Sequence, residues 1–198
     1  MISHRYRCIF IHQRKAAGCS IMASFGFNPD EPEWHLFNDG TLSKEWARRD
    51  EVAPGYVVFA VVRNPWDRFV SAWKYLKATR DRPLVEVLRE LPQTGHDYRH
   101  LTRPQMATLV DAGGVFSPDY VLRFEHIEQD YARFCDIVGK QDKALPRLNA
   151  TRHKGYQEYF DAVSTDLFKR KFAMDVEFLG YDYSGRADHL KLKEKIPA

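Results

Sequence analysis

Two apolar runs, each followed by a polar turn, stand out in the pattern of hydrophobic and polar positions. The first run lies within residues 7–12 and leads through a turn of small and cationic residues to a helix-like segment over 19–26. The second lies within residues 56–62 and leads through an Asn-Pro pair to a helical pattern over 65–78. Short continuous apolar runs are typical of buried parallel strands, and Asn-Pro is typical of a helix N-terminus. Each run therefore predicts a strand that leads directly into a helix.

The rest of the chain continues this alternation. The pattern predicts further elements at these positions: a helix over 84–91, a strand over 119–123, a helix over 125–138 and a helix over 164–178. Strands that alternate with helices favour the α/β class, with a mainly parallel sheet flanked by helices in a single domain. We expect this domain to span residues 1–183 and the basic residues 184–198 to form a flexible tail. Residues 92–118 are rich in Gly, Pro, Thr and Arg, which predicts a surface insertion beside an acceptor cleft.

Composition is compatible with one intracellular domain. The 198 residues are 44% hydrophobic and 14% aromatic, which is enough for a substantial core. The formal charge of +3 is too small to indicate a nucleic-acid partner, although its sign suits anionic ligands. We find no apolar stretch long enough to cross a bilayer and no room for a signal peptide before the first strand. The odd set Cys8, Cys19 and Cys135 contains no CxxC pair, so we expect reduced thiols and a cytoplasmic location.

The turn after the first strand has the composition of a phosphate-binding loop. Backbone N–H groups, a lysine and a serine hydroxyl come together there, before the N-terminus of a helix. The residues that we expect to bind the anion are Arg14, Lys15, Ala16, Ala17, Gly18, Cys19 and Ser20. The nucleoside-triphosphate motif GxxxxGK[ST] is absent, because the lysine precedes the glycine here. This order argues against a hydrolase of magnesium nucleotides.

A second anion site is predicted at the end of the second strand. Arg63 stands at the carboxyl end of that strand, and Ser71 lies about two turns into the following helix. A guanidinium fork and a hydroxyl can bind one phosphate together, and each charge-assisted hydrogen bond contributes ~1.5–3 kcal/mol. Two anion sites in one small domain indicate a ligand with two separate anionic groups.

These two segments resemble the 5′-phosphosulfate loop and the 3′-phosphate site of sulfotransferases that use 3′-phosphoadenosine 5′-phosphosulfate (PAPS). The closest pattern is that of the carbohydrate sulfotransferases of Golgi and bacterial type, which RNPWDRFVSAW at residues 63–73 matches almost letter for letter. Residues 124–130, 145–151 and 172–181 also follow the family in order and spacing. The resemblance implies a P-loop-like fold, PAPS as donor, no metal, and a hydroxyl acceptor on a carbohydrate or glycolipid.

The resemblance also implies roles for individual residues. Lys15 would lie on the side of the leaving phosphate, and His35 would take the proton of the acceptor, with Glu33 as the second candidate for this base. A histidine has an ordinary pKa of ~6.5, which suits proton abstraction near neutral pH. Arg152 and Lys154 belong to a basic loop that resembles a 3′-phosphate-binding loop of cytosolic sulfotransferases, but the loop is equally typical of a solvated surface.

Several other positions have simpler expected roles. We expect His12 to orient the first loop through a hydrogen bond and Arg68 to pair with an acidic neighbour. The acidic residues and the histidine of residues 125–130 open a helix, so we interpret them as helix-dipole partners rather than metal ligands. Side chains that could stack on a sugar or bind an acidic group are Trp34, Trp46, Tyr98, Arg99 and Arg103.

Two alternative functions remain open at this point. A P-loop kinase of small molecules has the same strand, loop and helix, but it requires Mg²⁺ and a triphosphate. A non-catalytic nucleotide-binding protein is the second alternative, because Ala16 and Cys19 stand where the family motif has threonines.

Overall fold

Four strands form one sheet in the computed structural model, which describes residues 1–27, 54–110, 114–148 and 153–186. In spatial order, which is also chain order, the strands are β1 (Ile2–Ser3), β2 (Cys8–Ile11), β3 (Val57–Val62) and β4 (Tyr120–Arg123). β1 is antiparallel to β2, whereas β2, β3 and β4 are parallel neighbours. The predicted α/β class with a mainly parallel sheet flanked by helices is confirmed.

Helices follow the strands much as the pattern predicts. Within the described ranges the α-helices are α1 (Gly18–Ser24), α2 (Pro65–Tyr75), α3 (Leu84–Arg89), α4 (Gly95–Asp97), α5 (Met106–Leu109), α6 (Ile127–Ile137), α7 (Ala162–Lys171) and α8 (Ala173–Phe178). A π-helical turn at Tyr98–Thr102 and 3₁₀ turns at Phe124–His126 and Tyr156–Glu158 complete them. In the part of the chain that the structure describes, no helix combines the length and apolar character needed to cross a membrane.

Two predicted elements differ in detail from the observed ones. The single helix predicted over 164–178 is two helices, α7 and α8, which meet at Phe172, where φ is −118°. The helix predicted over 125–138 begins with a 3₁₀ turn and becomes α-helical at Ile127. The sequence pattern missed β1 because a two-residue strand is too short to show alternation.

The described residues divide into two compact units whose segments alternate along the chain. One unit is drawn from Met1–Val62 and Ala107–Asn149, and the other from Arg63–Met106 and Ala150–Leu192. The first unit contains the whole sheet. Its core packs α1 and α6 against the strands, as the near-complete burial of Phe10, Ile21, Phe59 and Phe134 shows. Cys8 and Cys135 belong to the same core.

The second unit has its own aromatic core. Trp66 and Phe69 of α2 pack against Phe168 of α7, with ring centroids 5.3 and 5.5 Å from the Phe168 ring. Phe168 in turn stacks on Phe172 at 4.4 Å. Burying an aromatic side chain of this size contributes on the order of 2–3 kcal/mol, so this cluster fixes α2 and α7 against each other.

The prediction of a surface insertion at residues 92–118 is wrong for its middle part. Leu101, Gln105, Met106 and Leu109 are all almost completely buried. The Gly, Pro and Arg residues of this segment accompany its many short turns, and they do not indicate that the segment is exposed. The predicted boundary between a domain at 1–183 and a tail at 184–198 stays a prediction. In the described part of that tail, Ser184 and Arg186 both hydrogen-bond to Asp182.

Candidate functional site

The loop between β2 and α1 has an unusual backbone conformation. Lys15 has a φ of 66° and Ala17 a φ of 57°, so two residues that carry side chains are left-handed on either side of Ala16. Each such residue costs roughly 1–2 kcal/mol, and strain of this kind is concentrated at functional sites. Residues that alternate in handedness turn successive N–H groups toward one point, which creates a concave site for an anion.

All the residues predicted for the first anion site lie in this turn or in the first turn of α1. Ala16, Gly18 and Ser20 are buried, whereas Arg14, Lys15, Ala17 and Cys19 are partly exposed. Ala17 is the N-cap residue of α1 and makes no side-chain cap. The structure therefore provides the local loop that the sequence predicts.

His12 packs directly against Gly18. A Cβ atom placed on Gly18 would lie 1.8 Å from Cδ2 and 1.8 Å from Nε2 of the His12 ring. Only a glycine leaves room for the imidazole at this point. The glycine is needed here for space and not for a left-handed backbone. The ring of His12 therefore supports the end of the loop by direct contact.

Two side chains fix the loop to the rest of the first unit. The hydroxyl of Ser20 accepts a hydrogen bond of 3.2 Å from the backbone N–H of Leu148. Gln13, which is 4% exposed, donates from Nε2 to the hydroxyl of Thr108. Sequence reasoning identified Ser20 but missed Gln13, whose position in a cationic turn gives no sign of burial.

The N-terminus of α2 has the predicted cap. Oδ1 of Asn64 accepts hydrogen bonds from the N–H groups of Trp66 and Asp67, at 3.0 and 3.2 Å. Pro65 is the first helical residue, where its missing N–H group leaves no bond unmade. Nδ2 of Asn64 lies 3.5 Å from the hydroxyl of Tyr156. This cap fixes the backbone that directly follows Arg63.

Arg63, Asp67 and Ser71 follow one another at intervals of four residues, with Arg63 just before α2 and the other two within it. Asp67 and Ser71 therefore lie on the same side of the helix, one turn apart. Nε of Arg63 donates to Oδ2 of Asp67 at 2.8 Å, and a terminal nitrogen of the guanidinium lies 2.7 Å from the same oxygen. The arginine side chain therefore reaches Asp67 in the first turn of α2, and Ser71, one turn further on, is 2% exposed. A phosphate site shared by Arg63 and Ser71 stays a prediction.

Arg68 is buried, and its guanidinium interacts with backbone carbonyl groups and with one acidic residue. Its guanidinium donates to the backbone carbonyls of His100 and Arg103, at 3.1 and 2.9 Å. The acidic group whose charge acts on it is Asp175, which is distant in sequence. Burial lowers the pKa of Arg68, and the charge of Asp175 opposes this change.

The basic loop is only partly described. Lys154 has an exposed ammonium group that pairs with Glu158 at 3.1 Å, and this hydrogen bond raises the pKa of the lysine. Tyr156 is buried against Trp66, with ring centroids 6.4 Å apart. Arg152 lies outside the described residues.

The candidate bases also fall outside the described residues. His35 and Glu33 belong to the undescribed stretch 28–53, as do Trp34 and Trp46. Their roles stay predictions. Among the residues that are described, no group of three or more His, Cys, Asp or Glu side chains is arranged to hold a metal ion.

Sequence reasoning missed two residues that support Arg63. Gln105 hydrogen-bonds to both backbone polar groups of Arg63, and Asp175 hydrogen-bonds to the backbone of Gln105. A signal for Asp175 does exist, because it is an acid within the apolar run FAMDVEFL of residues 172–179. Gln105 carries no such signal, since its segment resembles an exposed loop.

Comparison with known proteins gives two matches. A family model described as "Sulfotransferase family" matches residues 1–182. An uncharacterised protein of Archaeoglobus fulgidus is 27% identical over 117 residues, which cover 57% of this chain and 96% of that relative. No solved structure gives a significant match.

Proposed function

Because the chain belongs to the sulfotransferase family, as the match over residues 1–182 shows, we propose that it uses PAPS to sulfate a hydroxyl group of a carbohydrate or glycolipid. The observation that carries this proposal is the loop between β2 and α1. Its two left-handed residues, Lys15 and Ala17, maintain a strained backbone that is suited to an anion. In this proposal the loop binds the 5′-phosphosulfate.

The 3′-phosphate is assigned to Arg63 and Ser71. A guanidinium held in a fixed orientation by Asp67 can offer a directional fork to a phosphate, and the hydroxyl of a serine one helical turn after Asp67 can add one donor. Lys154 and Arg152 are assigned to the same phosphate. The donor set consists of cationic side chains, hydroxyls and backbone N–H groups, and it suits a doubly anionic nucleotide.

Sulfuryl transfer needs positioning and electrostatic stabilisation more than covalent chemistry by the protein. PAPS supplies the sulfuryl group and leaves as 3′-phosphoadenosine 5′-phosphate. Lys15 places a positive charge beside the departing phosphate oxygen, and His35, or Glu33 in its place, accepts the proton of the acceptor hydroxyl. Each role assigns one charge or one proton to a single named side chain. A single substitution can therefore remove one role without removing the others.

Calorimetric titration without magnesium tests the donor site. We expect 3′-phosphoadenosine 5′-phosphate to bind more tightly than 5′-AMP or ATP. The proposed site binds a 3′-phosphate, which 5′-AMP and ATP lack. Similar affinities for all three nucleotides would contradict the proposal. Binding of ATP only with magnesium would favour a small-molecule kinase.

Turnover separates an enzyme from a binding protein. The full chain is incubated with PAPS labelled with ³⁵S and a panel of oligosaccharides and glycolipids. We expect labelled product with at least one acceptor. Selective binding of the bisphosphate without transfer to any acceptor would favour a non-catalytic nucleotide-binding protein.

A further inference from the structure

A buried glutamine side chain pairs with the backbone of Arg63. The N–H group of Arg63 donates to Oε1 of Gln105 at 2.9 Å, and Nε2 of Gln105 donates to the carbonyl oxygen of Arg63 at 2.9 Å. Gln105 is 1% exposed. The side-chain amide thus pairs with both backbone polar groups of Arg63. It fixes both peptide groups that flank the Cα atom of Arg63.

Gln105 is itself held by a buried carboxylate. Oδ2 of Asp175 accepts the N–H group of Gln105 at 2.8 Å, and Oδ1 accepts the N–H group of Met106 at 2.9 Å. Asp175 has no solvent exposure. Burial raises the pKa of Asp175, while the positive charge of Arg68 and the two backbone hydrogen bonds act in the opposite direction.

Arg68 fixes the other end of the same segment. It donates to the carbonyl oxygens of His100 and Arg103, so residues 100–106 are bound through their carbonyl groups by Arg68 and through their N–H groups by Asp175. Together these hydrogen bonds specify one backbone position for this segment.

We propose that Gln105 is a positioning residue for Arg63, and that Asp175 keeps Gln105 in place. The inference rests on the proposed function, in which Arg63 binds the 3′-phosphate of the donor. A guanidinium and a phosphate bond strongly only when the fork is aligned, and misplacement by ~1 Å has a large effect on such sites. Asp67 orients the side chain of Arg63 from one side, and Gln105 fixes its backbone from the other.

The test is the substitution Gln105→Met, which preserves side-chain length but removes both hydrogen bonds to Arg63. We expect the Kd for 3′-phosphoadenosine 5′-phosphate to rise roughly tenfold, on the order of one weakened charge-assisted hydrogen bond. The Kd for 5′-AMP should stay within about twofold, because that ligand has no 3′-phosphate for Arg63. Met106→Leu is the matched control, since it alters the same buried segment without changing the glutamine.

A double-mutant cycle separates positioning from a general structural role. In the Arg63→Ala background, Gln105→Met should cause no further loss of bisphosphate affinity. An equal loss for both nucleotides, or a loss that persists without Arg63, would overturn the proposal. If Gln105→Met does not fold, Gln105→Asn keeps the amide on a shorter side chain and replaces it in the same cycle.

The outcome also distinguishes this inference from the proposed function. If the unmodified protein does not prefer the bisphosphate over 5′-AMP, the proposed donor site is wrong and the positioning role is wrong with it. If the unmodified protein does prefer the bisphosphate, but Gln105→Met keeps that preference, only the positioning role is overturned.

Discussion

The guanidinium of Arg63 and the carboxylate of Asp67 form an ion pair one helical turn apart, in which two nitrogens of the arginine approach the same oxygen. The distances are 2.8 Å from Nε and 2.7 Å from a terminal nitrogen, and the arginine side chain is 9% exposed. A pair this shielded from water is better ordered than a surface ion pair. Asp67 therefore sets the direction of the guanidinium before any ligand binds.

We expect Arg63→Lys to lose bisphosphate affinity although it keeps the charge. An ammonium group has no planar fork, so it cannot pair with Asp67 and present two aligned donors to a phosphate. The Kd for 3′-phosphoadenosine 5′-phosphate should rise roughly tenfold in calorimetry, with little change for 5′-AMP. Arg80→Lys is the control, because Arg80 is an exposed arginine that pairs with the exposed Asp81. Equal effects of the two substitutions would contradict the assigned role.

His35→Ala should leave donor binding nearly unchanged and remove turnover. Loss of a general base typically lowers kcat by about 10²–10⁴-fold, whereas the donor does not need the imidazole in order to bind. Glu33→Gln is the matched variant, since Glu33 is the other candidate for the base. Steady-state kinetics with PAPS and a hydroxyl acceptor that the unmodified protein sulfates measure both. If Glu33→Gln loses kcat and His35→Ala does not, the two assignments are exchanged.

Gly18→Ala should destabilise the protein through a clash with His12. The added methyl group would overlap the imidazole, and overpacking of this kind costs about 1–3 kcal/mol in urea unfolding. In the background of His12→Ala the same substitution should cost much less, because the space is then open. Gly26→Ala serves as control. Its Cβ meets nothing within 4 Å but its φ is +78°, so its cost should not depend on His12.

Only Cys19 should react quickly with a thiol reagent in the native protein. Burial raises the pKa of Cys8 to about 12 and also raises that of Cys135, so neither thiol forms a thiolate readily near neutral pH. Cys19 is partly exposed in the first turn of α1. Reaction with a chromogenic disulfide should show one fast thiol, which Cys19→Ser removes.

The same thiol reports on the donor loop. We expect 3′-phosphoadenosine 5′-phosphate to slow the reaction of Cys19, since the ligand would cover the start of α1. If the rate at which Cys19 reacts is unchanged at saturating ligand, the anion binds at a site other than this loop.

Tyr156 should make the protein sensitive to alkaline pH. Burial raises the pKa of its hydroxyl from 10.0 to about 12. The unfolded chain therefore loses this proton first, so the stabilisation is complete below pH 10 and declines as the pH rises toward 12. Urea unfolding from pH 8.5 to 11 should show a steeper decline for the unmodified protein than for Tyr156→Phe. At the lowest pH the variant should lose about 1 kcal/mol, the usual contribution of one hydrogen bond. Parallel curves would contradict this origin of the pH dependence.

Much of the sheet and the local parts of the site could be predicted from the sequence. Continuous apolar runs predicted β2 and β3, and the pair Asn64 and Pro65 predicted the start of α2. These predictions succeed because helix caps and strand burial depend on adjacent residues. The positive φ values of Lys15 and Ala17 were not predictable, since no glycine marks them. They depend on how the whole loop packs.

The support of Arg63 was not predictable because it is built from distant parts of the chain. Gln105 and Asp175 meet only through the packing of the second unit, and although the apolar surroundings of Asp175 in the sequence suggest burial, they do not indicate its partner. Sequence reasoning can identify a side chain that contacts a ligand through a local motif. It does not identify the distant side chains that fix the backbone of such a ligand-contacting residue.

The alternation of the two units along the chain has a consequence for synthesis on the ribosome. β3 is a central strand, yet its second neighbour, β4, begins only at Tyr120. Between these strands the nascent chain must make all of α2 to α5, which takes roughly several seconds at ordinary rates of translation. During that time one edge of an apolar strand has no partner, and such an edge is where chains associate wrongly. This chain order therefore leaves β3 open to wrong association for longer than a chain order in which β4 followed β3 directly.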